Sequence, residues 1–348
     1  MNNLLGFLLF SFTINAALIV PFINLLYDLK FQRPGRAASD FMGTINSVFN
    51  KLHKKKVGTP VGAGLLIIVT TTALFTLISG MLRLVGADMA SVYNYRQEIN
   101  VIFATFILFG LLGLYDDIIK FFGKSTNLVG ISWRHKLIMQ IVLGLGIGYY
   151  LYQGMGISII NIPYFGVLDM GWLFVPFSSF IIVAFSNAVN ITDGLDGLAG
   201  GLLMISLFAL IILATSILDT PITLFLALWL GGIIAFLYFN TYPARITLGD
   251  VGALSFGATL AVVGLLLGKI IAVTIIGSLF VMEIISSSIQ MFGKRYLGRR
   301  LLPLSPVHLW LQSIGWEETK IVTRAWLAGI ILALLVKEKS KKPKRLFI

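Results

Sequence analysis

Residues 221–240 read PITLFLALWLGGIIAFLYFN, an uninterrupted apolar run without one charged side chain. A run of this length matches the thickness of a bilayer's hydrocarbon core as an α-helix. The pattern is continuous rather than alternating, so it predicts a helix and not a barrel strand. Working outward, similar runs cover approximately 4–27, 61–85, 98–115, 137–153, 171–190, 199–218, 253–268, 270–292 and 322–336. The 348 residues are 57% hydrophobic and only 12% charged, with a mean hydropathy of +0.91. Soluble domains carry about twice that share of charge. The sequence therefore predicts an all-α polytopic membrane protein of about ten transmembrane helices, forming one integral membrane domain over 1–348 with a basic tail at 337–348. The first run lacks a basic leader and a small-residue cleavage site, and is read as a retained span.

The net charge of +12 would point to nucleic acid in a soluble protein. Here it follows the positive-inside pattern. Lys30, Arg33, Lys56, Lys120, Arg134, Lys136, Arg245, Arg299, Arg300 and Arg324 fall on one set of loops, and only Arg83, Arg96 and Lys269 fall on the other. The first set is expected to be cytoplasmic and the N-terminus external, with no nucleic-acid partner. Ten spans also put the tail outside, which its basic residues oppose. There is no cysteine, hence no disulfide or thiol chemistry. Segment 154–168, with β-branched residues around Pro163, is expected to form a small external hairpin.

Three aspartate motifs share the basic face. Asp116-Asp117-Ile118-Ile119-Lys120 ends the third span, with Lys120 on the same helical face as Asp116. Asn187-Ala-Val-Asn190-Ile-Thr-Asp193-Gly194-Leu-Asp196-Gly197 places polar residues at every third position and supplies glycines for close backbone approach. Leu248-Gly249-Asp250-Val251-Gly252 opens the eighth span. Carboxylates beside a bilayer are costly unless paired, solvated or metal-bound. A basic segment, 293–324, contributes His308, a candidate acid, base or phosphate donor. Lys56-Val-Gly58-Thr59-Pro60 suits an anion at a helix start, or merely sets topology. Glu283, with Ser286 and Gln290 on its face, is an intramembrane carboxylate. Gly123-Lys124-Ser125 is no phosphate loop, since the position that needs the leading glycine is Ile118. Oxygen donors without cysteine favour Mg²⁺ or Mn²⁺, and carboxylates with lysines suit a transferring phosphoryl group. From the residues alone, the reading is a membrane phosphotransferase joining a water-soluble and a lipid substrate; a transporter or a lipid-binding protein are the other classes.

At these motifs the chain resembles the polyprenyl-phosphate N-acetylhexosamine-1-phosphate transferases, most closely their phospho-N-acetylmuramoyl-pentapeptide branch. The matching stretches are Gly58-Thr59-Pro60, Tyr115–Lys120, Asn187–Gly201, Leu248–Gly252 and Gly315–Glu318 with 320–326. The resemblance implies a multi-pass protein of a bacterial inner membrane with ten helices, a cytoplasmic active site and often a homodimer. It implies Mg²⁺ as cofactor, with UDP-MurNAc-pentapeptide and undecaprenyl phosphate as substrates, giving lipid I and UMP. By the same resemblance Asp116 and Asp117 are the catalytic pair and Asp250 the main metal ligand. Asn190, Asp193, Gly194 and Asp196, preceded by Asn187, form the loop at metal, phosphates and uridine, and Asp193 joins Asp250 on the metal. Lys56, Lys120 and Lys136 lie near the site, Lys120 acting in catalysis, and His308 is the first of a histidine run. The chain departs from the pattern at Leu309 and Trp310, in place of two further histidines, at Thr247, in place of an aromatic residue, and at Ala253, in place of a serine. A sister enzyme using another UDP-sugar is the neighbouring reading.

Overall fold

The computed structural model describes residues 2–33, 56–86, 89–122 and 131–336. The basic tail expected at 337–348 lies outside the described residues, as does the Gly123-Lys124-Ser125 stretch. Twelve α-helices run through the described chain: α1 (Asn2–Asp28), α2 (Ala63–Leu84), α3 (Tyr95–Phe122), α4 (Trp133–Tyr149), α5 (Phe174–Thr192), α6 (Leu198–Ser216), α7 (Thr220–Asn240), α8 (Gly249–Leu266), α9 (Ile270–Ile276), α10 (Ser278–Tyr296), α11 (Val307–Ser313) and α12 (Glu318–Leu335). The expected hairpin is present as two short antiparallel strands, β1 (Ile159–Ile162) and β2 (Gly166–Asp169).

Eight of these helices are long and apolar enough to cross a membrane, so the chain is a multi-pass membrane protein. The expected ninth span, 270–292, is broken: α9 and α10 meet at Gly277 with a bend of 79°. The expected tenth corresponds to α12, whose first two turns carry Glu318, Lys320 and Arg324. Those charges keep it outside the eight.

The bundle is organised around α8, of which 94% is buried, whereas α1 is only 17% buried. With no hydrophobic drive between helices in lipid, close packing needs small residues. A Cβ on Gly64 of α2 would lie 2.2 Å from Gly252 Cα of α8, so the two backbones touch there. Side-chain hydroxyls add interhelical bonds, from Ser255 Oγ to Phe106 O (2.6 Å) and from Ser186 Oγ to Leu254 O (3.1 Å). Phe106, Phe225, Trp229 and Phe256, all fully buried, form the aromatic centre between α3, α7 and α8.

The charged groups near the two ends of α3 are spaced as the two faces of a membrane would be. Glu98 and Asp116 are eighteen residues apart, about 27 Å along a helix, close to the hydrocarbon thickness. At one end, buried Glu98 accepts from Ser91 Oγ (2.6 Å), while Asp219 caps α7 through Ile222 N–H (3.1 Å) and takes Val92 N–H (3.3 Å). The aspartate motifs gather at the other end.

Candidate active site

The first cluster unites α3, α4 and α8. The last turns of α3 project Asp116 and Lys120 on one face, with Lys120 Nζ 2.9 Å from Asp116 Oδ2. Ser132 caps α4 and brings Lys136 in from the other side, 3.0 Å from the same oxygen. Both lysines also reach Asp250 Oδ2, Lys120 at 2.8 Å and Lys136 in a shorter contact. Asp116 Oδ1 accepts Ile131 N–H (3.0 Å), so that carboxylate is held on both oxygens. Gly113 makes this convergence possible, because a Cβ there would lie 2.1 Å from Asp250 O.

Asp117 meets the start of α8. Gly249 takes φ +77°, the left-handed turn that glycine adopts without strain, and the chain enters α8 beside the Asp117 carboxylate. Asp117 Oδ2 accepts Val251 N–H at 3.1 Å, one of the free donors at a helix N-terminus. Asp116 and Asp117 are each 2% exposed, whereas Lys120 retains 34% exposure, so the lysines form the accessible rim.

The second cluster is built on the loop between α5 and α6. Lys56 Nζ lies 2.8 Å from Asp196 Oδ1 and 2.5 Å from Glu318 Oε1, and donates to Gly194 O at 3.3 Å. Asp196 Oδ2 accepts Ala244 N–H (3.0 Å), and Glu318 Oε1 accepts Asp196 N–H (2.6 Å). Lys56 is 8% exposed and ion-paired to both carboxylates. Gly194 leaves room for His308, whose Nε2 would lie 2.4 Å from a Cβ at that position. His308 is 3% exposed; its Nδ1 lies 3.1 Å from Glu283 Oε2, an ion-pair distance without good hydrogen-bond alignment. Its N–H donates to Glu283 Oε1 (3.2 Å). Glu283, Ser286 and Gln290 are buried together, and Gln290 pins the basic loop through Leu301 and Leu302 N–H.

Asp193 ends α5 between the two clusters, interacting electrostatically with Asp250, Lys56 and Asp196. Burial pushes its carboxyl up to about 7, against the opposing pull of Arg33 and Lys56. Asn190 lies one turn before it, partly buried. Asn187 is farther along α5, where it donates to Gln140 Oε1 at 2.7 Å. The structure therefore brings Asp116, Lys120, Lys136 and Asp250 into direct contact with Asp117 on the Val251 N–H beside them, joins Lys56, Gly194, Asp196 and His308 into a second group, and places Asn187 in a pairing of its own between α4 and α5.

Sequence reasoning missed the role of Glu318. It begins a helix beside Glu317 and Lys320, the pattern of a solvated terminus; only the burial of its partner Lys56 marks it. Thr247 faces inward, 5% exposed, with its backbone paired to Pro60, Gly62 and Ala63. Leu309 is buried at 4% exposure and Trp310 sits at the surface at 36%.

An apolar cleft of about 640 Å³ runs between α2 and α3, lined by Leu65, Val69, Ala73, Ile107, Leu111 and Val251 among others. Thr72 and Thr76, also in its wall, turn their hydroxyls to the Ile68 and Thr72 carbonyls of their own helix. Its inner end, Val251, is the residue after Asp250.

The donors fit a hard divalent ion: they are all oxygen, and Asp116 and Asp250 already converge on cationic nitrogens. Among the described residues no group of three acidic or histidine side chains is close enough to hold a metal by itself.

Residues 99–268 match glycosyl transferase family 4. Over 329 residues, 93% of this chain and 92% of the relative, the chain is 33% identical to the phospho-N-acetylmuramoyl-pentapeptide-transferase of Acetivibrio thermocellus. It is 37% identical to the protein of that name in Pelagibacter ubique, over 81% of this chain and 79% of the relative. It is 37% identical to that of Limosilactobacillus fermentum, over 81% and 83%. The matches span both clusters and nearly all the helices that carry them, and the chain belongs to the phospho-N-acetylmuramoyl-pentapeptide-transferase family.

Proposed function

We propose that the chain transfers phospho-N-acetylmuramoyl-pentapeptide from UDP-MurNAc-pentapeptide to undecaprenyl phosphate, giving lipid I and UMP, at the cytoplasmic face of a bacterial inner membrane. The observation that carries this reading is the pair of lysines joining Asp116 to Asp250 at the membrane end of α3. Two ammonium groups fixed on buried carboxylates are a preorganised counter-charge for a transferring phosphoryl group.

In this reading the acceptor phosphate lies at the α3 end, its isoprenoid chain in the apolar cleft that ends at Val251. Asp116, bonded to both lysines and Ile131 N–H, fixes those lysines. Asp117 is the member of the pair that takes or orients the acceptor's proton. An acceptor phosphate oxygen attacks the phosphorus bearing the sugar, and the bond from that phosphorus to the oxygen of UMP breaks. Lys120 and Lys136 offset the charge that develops on the leaving phosphate. Asp250, with Asp193, would hold Mg²⁺, which when bound neutralises the diphosphate. The loop 193–197 and His308 face the donor.

The test is a UMP-release assay with the purified protein, undecaprenyl phosphate, Mg²⁺ and a panel of UDP-sugars. UMP from UDP-MurNAc-pentapeptide is the expected result. UMP only from another UDP-sugar would assign the chain to a sister activity, which the buried Thr247 and the Leu309-Trp310 pair make a specific competitor. No UMP from any sugar would refute the enzyme reading. Trapping labelled phospho-sugar on the protein would replace direct attack with a covalent route.

A further inference from the structure

We infer that Glu318 and Lys56 act as one positioning unit for the loop 193–197, and that Lys56 works through this loop rather than by touching a phosphate. The inference rests on the transferase reading above. An ammonium has three N–H donors and no acceptor. Those of Lys56 face three protein oxygens: Asp196 Oδ1, Glu318 Oε1 and Gly194 O. Its side chain is 9% exposed, against 34% for Lys120, so no donor is turned to a ligand.

Glu318 is the joint. One oxygen, Oε1, accepts both Lys56 Nζ and Asp196 N–H. The residue lies in the first turn of α12, where the helix dipole favours a carboxylate. Two turns later on the same helix, Trp326 Nε1–H donates to Gly197 O at 3.0 Å. Gly201 lets that ring approach, since a Cβ there would lie 1.9 Å from Nε1. Helix α12 thus grips the loop at both ends, at 194–196 through Lys56 and Glu318 and at Gly197 through Trp326. The last helix, far from the aspartates in sequence, sets where Asp193, Gly194 and His308 sit.

Steady-state UMP release by the full-length protein tests this, varying donor and acceptor separately for wild type, Glu318→Gln, Lys56→Met and the double variant, with thermal midpoints in parallel. Losing a charge-assisted hydrogen bond predicts that each single substitution raises the donor KM about tenfold or more. The acceptor KM should stay within about twofold, and the double variant should be no worse than the worse single, as for groups that act together. Multiplying single effects would show that Lys56 has a contact of its own and would overturn the inference. So would a donor KM unchanged in Glu318→Gln, or a loss of stability with both KM values rising alike. If these variants fail to fold, Trp326→Phe keeps an aromatic ring while removing the Nε1–H with the pyrrole half of the indole; an unchanged donor KM there would also overturn it. A wild type that releases no UMP would instead sink the transferase reading.

Discussion

Replacing Lys136 by methionine keeps the length of the side chain and removes its charge. Lys136 contributes two contacts, to Asp116 Oδ2 and Asp250 Oδ2, with 16% of its side chain exposed and Asp116 almost fully enclosed. A hydrogen bond between charged groups is worth about 1.5–3 kcal/mol. Two would total roughly 3–6 kcal/mol, but Lys120 holds the same two oxygens and retains part of the network. About 3 kcal/mol is the reasonable expectation, or roughly a hundredfold in kcat at 1.4 kcal/mol per decade. The assay is UMP release at saturating donor, acceptor and Mg²⁺, with Lys136→Arg as the charge-retaining control. Because both lysines serve both carboxylates, Lys120→Met together with Lys136→Met should cost far more than the product of the two singles. A Lys136→Met enzyme with more than a third of wild-type kcat would refute the shared-counter-charge argument, as would a strictly multiplicative double variant.

Three further outcomes are expected. Gly194→Ala places a methyl against the enclosed His308 ring, an overpacking of about 1–3 kcal/mol, and should lower kcat/KM for the donor about tenfold; wild-type kinetics would show that the ring yields freely. Ala73→Phe fills the apolar cleft, so the acceptor KM should rise several-fold while the donor KM holds; equal effects on both, or none, would remove the acceptor chain from the cleft. Asp193 is held above its ordinary range, near 7, so the folded state prefers it protonated. Its contribution to stability is complete below about pH 4 and is lost as pH rises through about 7. Without divalent cations the thermal midpoint should therefore fall from about pH 4 to about pH 7 and level off above it, relative to Asp193→Asn, and Mg²⁺ should reduce that fall. Parallel pH profiles for the two proteins would remove Asp193 as the titrating group.

The spans were legible because lipid leaves no alternative: residues 199–218 and 221–240 carry no charged side chain, and each forms one helix. The break at Gly277 was not, since apolar sequence continues through it and hydropathy carries no direction. The first cluster was half legible. Asp116 and Lys120 are one helical turn apart, so their contact follows from spacing, whereas Asp250 joins them only because Gly113 lets α3 and α8 touch. In the second cluster Lys56, Gly194, Asp196 and His308 were each singled out, but their joining was hidden, because Lys56, Asp196 and Glu318 belong to three distant segments and Glu318 has the context of an ordinary helix start. Glu283 could be flagged as an anomaly inside an apolar run, but its partner His308 comes from the short helix α11, whose placement no local pattern reveals.

The seating of α8 has one more consequence. A side chain added at Gly113 collides with the Asp250 backbone, which cannot give way as a flexible side chain does, and one at Gly252 meets both the Leu248 side chain and the Gly64 backbone. The neighbourhood of Asp250 is therefore closed to most single substitutions, while positions such as Trp310 and Ile314 lie on open surface. An inhibitor bound mainly against the aspartate–lysine cluster would meet few resistance mutations that spare the fold, whereas one leaning on the outer loops would meet many.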